Sequence, residues 1–237
     1  MKILSIILAR KNSKGLPGKN LALFNKVPLI EHTITDSINA KLVDRIIVST
    51  DNPEIALIAN DAGAETPFIR PSYLSEYYSE VENNLLFVLK WLDRNERYHP
   101  DIIVYTQITD LFRPQGIIDQ CAQALIDNCE LDSCFAGKTT HKNYWRSVGN
   151  NFVRLASTIP YGKPRQIREH IYREDTGIAL ATRPSVIWEG KRIGDKCHII
   201  PYESSFDSDI HTQLDLDIAN KISNLYDPEN FTTGEKD

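Results

Sequence analysis

Hydrophobic positions along the chain come in short runs divided by polar, loop-forming stretches. Ile3–Leu8 is apolar for long enough to make a buried strand and for too few residues to span a membrane. Residues 9–20 read as a loop. Glu31–Ala40 follows as a helix, with Ile30, Ile34 and Ile38 forming a core-facing stripe. Asp44–Ser49 is a second strand. Asp51 or Asn52 then caps a helix over Glu54–Ala62, with Pro53 at its first position and Gly63 as its stop. Two successive strand–loop–helix units predict a parallel sheet with crossover helices.

The alternation continues downstream. Glu65–Ile69 reads as a short third strand. Ser79–Glu96 is the longest helical pattern, with Leu85, Leu86, Val88, Leu89 and Leu92 apolar. Asp101–Tyr105 is a strong strand, Ile117–Asp127 a helix and Ser133–Ala136 another strand. From Gly137 to Asp175 the rhythm breaks into a polar segment with Tyr144, Trp145, Tyr161 and Tyr172 spaced among Lys, Arg and Asn. It reads as an insertion at about 138–175, an arm or lid with strand content at Phe152–Ala156. Gly177–Thr182 and His198–Pro201 return as strands, Pro184–Trp188 as a short helix and Leu214–Leu225 as the final helix. Phe231–Asp237 reads as a loose tail. The expected architecture is a single α/β domain over residues 1–237, with a Rossmann-like, mostly parallel sheet flanked by helices.

Composition narrows the function classes. The 237 residues carry a formal net charge of -5, with 41% hydrophobic and 25% charged residues, enough for one sizeable core. A mildly acidic chain argues against general nucleic-acid binding. No apolar run approaches a membrane span, and the N-terminal run lacks a signal cleavage region, so the expected location is the cytoplasm. Cys121, Cys129, Cys134 and Cys197 form no Cys-x-x-Cys pair and read as buried free thiols in a reducing compartment.

Against the acidic background, residues 9–20 stand out. Arg10, Lys11, Lys14 and Lys19 all precede the first acidic residue, Glu31. A basic, glycine-containing loop leaving the C-terminal end of a first strand suits a polyphosphate. It matches neither the Walker A pattern nor Gly-x-Gly-x-x-Gly. In open α/β sheets ligands lie beyond the carboxyl ends of the strands. The 106–113 segment and the carboxylates of 207–217 fall in such places too. A basic loop plus separate carboxylates points to a nucleoside triphosphate with Mg²⁺.

The series Ala9-Arg10, Ser13-Lys14-Gly15, Pro17 and Lys19-Asn20 continues in Pro28-Leu29-Ile30, Ile46–Asp51, Gly63-Ala64 and Arg70-Pro71. Gln107, Arg113, Pro164-Arg165-Gln166, Gly177, Asp209 and Leu214-Asp215-Leu216 complete it. On these residues the chain resembles the CMP-sialic acid synthetases (acylneuraminate cytidylyltransferases). The resemblance implies a nucleotide-diphospho-sugar transferase fold with an inserted dimerisation arm. It implies transfer of CMP from CTP to the anomeric hydroxyl of a nonulosonic acid such as N-acetylneuraminate, with release of pyrophosphate. Mg²⁺ (or Mn²⁺) and a homodimer are implied with it; nucleic acid and membrane are not. Arg10 and Lys19 would then be catalytic. Ala9, Arg10, Asn12, Ser13, Lys14, Lys19, Asn20 and Gln107 would hold the nucleotide. Gln107 would also meet the acceptor, as would Arg165, reaching across from the partner subunit. Asp209 would bind the metal.

Two departures bear on that assignment. Where the family has a second aspartate, this chain has His211, and Mg²⁺ prefers oxygen to imidazole nitrogen. Either Asp209 works with Asp207 or Asp215, or His211 alters the metal site, or His211 is a supporting residue beside the last helix. Ile108–Phe112 replaces the family's Pro-Thr-Ser-Pro-Leu, so Asp110 either joins the site or caps the helix expected from Gln115. Another acidic sugar or phosphonate acceptor is compatible with that change. Two other readings remain. One is a same-fold enzyme using another nucleotide or a sugar 1-phosphate, which the lack of a Gly-Gly-rich first loop opposes. The other is a nucleotide-binding protein that has lost catalysis, for which only His211 speaks.

Overall fold

The computed structural model describes all residues except Lys14, Tyr77, His141, 156–163, 165–170, 205–208 and 224–237. The first strand, β1 (Ile3–Ala9), is apolar on both faces and buried at nearly every position, as a strand covered by helices on both sides must be. Two short strands, β2 (Leu23–Phe24) and β3 (Val27–Pro28), pair with each other beyond the basic loop. Helix α1 (Leu29–Asn39) then leads to β4 (Arg45–Thr50), α2 (Pro53–Asp61), α3 (Val81–Glu96), β5 (Ile102–Thr106), α4 (Ile117–Asp127) and β6 (Ser133–Thr140).

The insertion contains a hairpin, β7 (Trp145–Val148) with β8 (Asn151–Arg154), and β9 (Ile171–Glu174). The chain closes with β10 (Leu180–Thr182), α5 (Pro184–Trp188), β11 (Cys197–Tyr202) and α6 (Gln213–Ile222).

The main sheet has the order β11-β6-β10-β5-β1-β4, with β9 added along the outer part of β6. β4, β1, β5, β6 and β11 run one way, while β10 and β9 run antiparallel to their neighbours. Three buried clusters fill the layers. One lies under α1, α2 and α6, one under α4, and one between α3 and the sheet. No helix among the described residues is long and apolar enough to cross a membrane.

Several local expectations need correction. The third strand shrinks to isolated bridges, Ile47 with Glu65 and Thr50 with Ile69. Pro67 lies between them and has no N–H to continue the ladder. Ile38 is exposed rather than core-facing; the buried stripe of α1 runs through Ile30, Ile34 and Ser37. An eight-residue step rotates about 80° around a helix, whereas a seven-residue step returns almost to the same line. Ser37 is accommodated by a 3.0 Å hydrogen bond to Ser5. Thr176–Ile178 is a turn, so the strand expected from Gly177 starts at Leu180. Helix α4 is capped by Gly116 at φ 76° with no side-chain bond, so Asp110 does not cap it. Cys121 and Cys134 are buried as expected, but Cys129 and Cys197 are exposed. Part of the expected 152–156 strand is present as β8; the rest of the arm, with Tyr161 and Arg165, lies largely outside the described residues.

Candidate active site

The carboxyl ends of β1 and β5, with Arg70 and Leu74 from the segment after β4, line one cleft of about 310 Å³. Its first wall is the basic loop. The Lys11 N–H donates to Asp51 Oδ1 at 2.7 Å, which ties the loop to the end of β4. The Asn20 side-chain amide donates to the Arg10 carbonyl at 2.8 Å and closes the loop across its own width. Gly18, at φ 65°, makes the left-handed turn that starts a short 3-10 helix over Lys19–Leu21. Arg10, Ser13, Lys19 and Asn20 thereby line one cleft. Asn12 joins Arg10 and Ser13 in an adjoining recess of about 450 Å³ that also reaches Asp51 and Glu76. Ala9 is fully buried at the end of β1 and sets where the loop begins. Lys14 lies outside the described residues.

An acidic wall adjoins the cleft beyond Thr109 and is assembled from distant segments. Asp110 pairs antiparallel with Asp209, and the Ile210 N–H donates to the Thr109 carbonyl at 3.1 Å. That bond flanks the Asp110–Asp209 pair, so the two residues face each other as a non-hydrogen-bonded pair. Such pairs place both side chains on one face, with Cβ atoms roughly 4.5–5.5 Å apart. Burial first, then the charges of Asp209 and Asp175, push Asp110 up to about 7, against the opposing pull of Arg113.

The two walls touch. Lys19 Nζ donates to the Ile210 carbonyl at 2.9 Å. A Cβ on Gly15 would stand 2.2 Å from the His211 carbonyl oxygen, so only glycine permits this approach. Burial lowers the Lys19 pKa, with Arg10 adding to the effect and Asp209, Asp110 and Asp215 opposing it.

The floor comes from β5. The Gln107 N–H donates to the Gly177 carbonyl at 2.8 Å, and its side chain bonds Thr109 and Tyr105. Arg113 fixes this floor. Its guanidinium donates to the carbonyls of Ile178, Gln107 and Gly177 and pairs with Asp36 on α1. A Cβ on Gly177 would stand 2.1 Å from Asp110 Oδ2. A side chain at 177 would therefore displace the Asp110 carboxylate.

The remaining wall was not assigned a role from sequence. Arg70, Leu74, Ser79 and Asn84 line it. Arg70 is buried, donates to Ser75 Oγ at 3.1 Å and lies 3.9 Å from Asp51. Its pKa falls to about 10, through burial first and the charge of Arg10 second. The only sequence signal for Arg70 was the Arg-Pro pair; its isolation in a core follows from the fold alone.

The metal candidates separate. Asp215 Oδ2 accepts from the His211 N–H, the Thr212 N–H and the Thr212 hydroxyl, completing a capping box at the start of α6. These bonds hold its carboxyl below the usual range. His211 Nε2 bonds Asp209 Oδ2 at 2.8 Å. Among the described residues no three His, Cys, Asp or Glu side chains converge to form a closed metal site. Arg165 and Asp207 lie outside the described residues.

A family model described as cytidylyltransferase matches residues 4–150. The CMP-N,N'-diacetyllegionaminic acid synthase of Legionella pneumophila is 32% identical over 117 residues, covering 49% of this chain and 50% of that protein. A pseudaminic acid cytidylyltransferase of Campylobacter jejuni is 42% identical over 128 residues, covering 54% and 55%. The chain thus spans about half the length of these curated relatives. A solved CMP:2-keto-3-deoxy-manno-octonic acid synthetase complexed with CTP superposes with a TM-score of 0.72 at 15% identity, covering 95% of this chain and 99% of that one. At that identity the likeness establishes the fold.

Proposed function

The chain belongs to the cytidylyltransferase family, and from that premise we propose that it transfers CMP from CTP to the anomeric hydroxyl of a nonulosonic acid, releasing pyrophosphate. The observation that carries this reading is the position of Lys19, which lines one cleft with Arg10, Asn20 and Gln107 and is near enough to the paired Asp209 and Asp110 to feel their charges. The acceptor oxygen attacks the α-phosphorus. A new P–O bond forms as the bond to the β-phosphate oxygen breaks, and the hydroxyl proton passes to solvent. Arg10 and Lys19 lower the barrier by meeting the negative charge that builds on the departing pyrophosphate. Ser13 and Asn20 orient the phosphates, and Gln107 sits where nucleotide and acceptor join.

Mg²⁺ (or Mn²⁺) fits this donor set. Asp110 and Asp209 present oxygen ligands on one face, and hard divalent ions take one or two carboxylates with phosphate oxygens and water completing the shell. When bound, the ion would neutralise phosphate charge. Asp110 then stands in for the aspartate that His211 replaces, and Asp215 remains a cap. The whole of 1–237 would act as one domain. The exposed apolar side chains of Trp145, Phe152, Val153 and Leu155 support a homodimer built on the inserted arm, with Arg165 reaching the partner's acceptor. The reaction is assigned to the cytoplasm, where CTP is made.

The test is pyrophosphate release with Mg²⁺, each of the four nucleoside triphosphates and a panel of acidic sugars. Release is expected with CTP and a nonulosonic acid. Absence of release with every pair overturns the reading.

A further inference from the structure

We propose that Asp36, on α1, is a positioning residue for the reaction: it holds the Arg113 guanidinium in the pose that keeps the Gly177 turn clamped to the end of β5. This rests on the cytidylyltransferase reading and extends it to a helix outside the cleft. None of the residues lining the cleft belongs to α1. Asp36 lies in the C-terminal half of that helix, next to the Ser37 that bonds Ser5. Its carboxylate is 34% exposed and pairs with Arg113 Nη1.

The Arg113 side chain is only 2% exposed. Its Nε donates to the Ile178 carbonyl, and its Nη2 to the carbonyls of Gln107 at 3.1 Å and Gly177 at 3.3 Å. One planar group thus ties two segments together, and its fixed fork meets all three oxygens in a single orientation. None of these carbonyls carries a countercharge; Asp36 supplies it. A buried cation that loses its carboxylate is strongly disfavoured where it sits. Arg113 then has another carboxylate to turn to, because its charge already acts on Asp110. A swing toward Asp110 releases the three carbonyls. The Gly177 carbonyl also accepts the Gln107 N–H at 2.8 Å, and a Cβ at 177 would stand 2.1 Å from Asp110 Oδ2. Gln107 and Asp110 therefore shift together when the clamp opens. Misplacement of about 1 Å around a reacting centre, from a change far from the chemistry, costs on the order of 10²-fold in rate. The basic loop is fastened separately, through Lys11, Asn20 and Lys19, so nucleotide binding survives the loss of Asp36.

The experiment compares the intact protein with Asp36→Asn, which keeps the shape and removes the charge, and Asp36→Glu, which keeps the charge. Turnover is measured as pyrophosphate release at saturating CTP and acceptor, at a temperature where circular dichroism shows every variant folded. Asp36→Asn is expected to lose about 10- to 100-fold in kcat, with calorimetric CTP affinity within about threefold of the parent. Asp36→Glu should recover most of the turnover. Amide hydrogen exchange gives a second readout that needs no substrate. In Asp36→Asn the Gln107 amide should exchange about tenfold faster or more, while the Val48 amide, bonded to Glu65 elsewhere in the sheet, keeps its protection. A folded Asp36→Asn with parental turnover overturns the proposal. So does equal acceleration at Gln107 and Val48, which reports a general loosening, or a loss of CTP affinity that matches the loss of turnover. Unchanged exchange at Gln107 sinks the Asp36 inference alone. No pyrophosphate release by the intact protein with any pair of substrates sinks the cytidylyltransferase reading, and the catalytic role of Asp36 with it.

Discussion

The two charged walls of the cleft are built in opposite ways. The cationic wall is one continuous loop, closed within itself by the Asn20–Arg10 bond and fastened through Lys11 to Asp51 and through Lys19 to Ile210. The acidic wall has no continuity. It exists because residue 110 pairs with residue 209 and because Gly15 and Gly177 lack side chains where the segments meet. A local loop tolerates change in its surroundings. A wall made by register and close approach depends on every contact that sets it.

The largest way to disturb this pairing of walls is to remove Lys19, which serves both. Lys19→Ala should lower turnover by about 10²–10³-fold, the usual loss for one preorganised group at a developing charge. Steady-state pyrophosphate release checks this, with Lys19→Arg keeping the charge but replacing the compact ammonium that meets the Ile210 carbonyl with a bulkier planar group.

Gly177→Ala tests the acidic wall sterically. The new Cβ must displace the Asp110 carboxylate, so turnover should fall roughly 10- to 100-fold and stability by about 1–3 kcal/mol. Adding Asp110→Ser should restore the stability but not the activity, a coupling that thermal melts of the single and double variants measure.

A third prediction concerns pH. The Asp110 pKa is raised from 3.8 to about 7 in the fold. The folded state therefore holds the proton more tightly than the unfolded chain does. This stabilisation is complete below about 4 and is lost as pH rises through about 7. Three units correspond to about 4 kcal/mol at most, and relaxation around the site reduces that to about 1–3 kcal/mol. Denaturation at pH 5 and pH 8 in chelator should show the loss in the parent protein and its near absence in Asp110→Asn.

The smallest effect is expected at His211. His211→Asp returns an oxygen donor beside Asp209 and should keep or raise Mg²⁺-dependent activity. A large loss would mean that the imidazole has a positive role of its own.

The sequence could disclose one wall better than the other for the same physical reason. Arg10, Lys19 and Asn20 lie within one short stretch, so spacing alone puts them together. The alternating strands and helices were legible because periodicity is local too, and it misled at Ile38 only over a step of two turns. Asp110 could be flagged as unusual, but its partner depended on a bridge between segments nearly a hundred residues apart. His211 and Asp215 could be singled out as metal candidates from spacing, whereas the capping box and the bond to Asp209 are contacts that only the fold discloses. Arg70 carried only the Arg-Pro pair, and Asn84 no pattern at all. Burial makes them informative, and burial is a property of the finished fold.

The bond from Lys19 to Ile210 spans 191 positions of the chain. During synthesis the basic loop emerges long before residue 210, and the strands around it can begin to order while the carboxylate segment is still unmade. Until residues near 210 leave the ribosome, Lys19 has neither its carbonyl partner nor the acidic wall beside it. A chain released before residue 210 keeps the basic loop but lacks the carbonyl and the carboxylates that lie beside Lys19 in the finished fold.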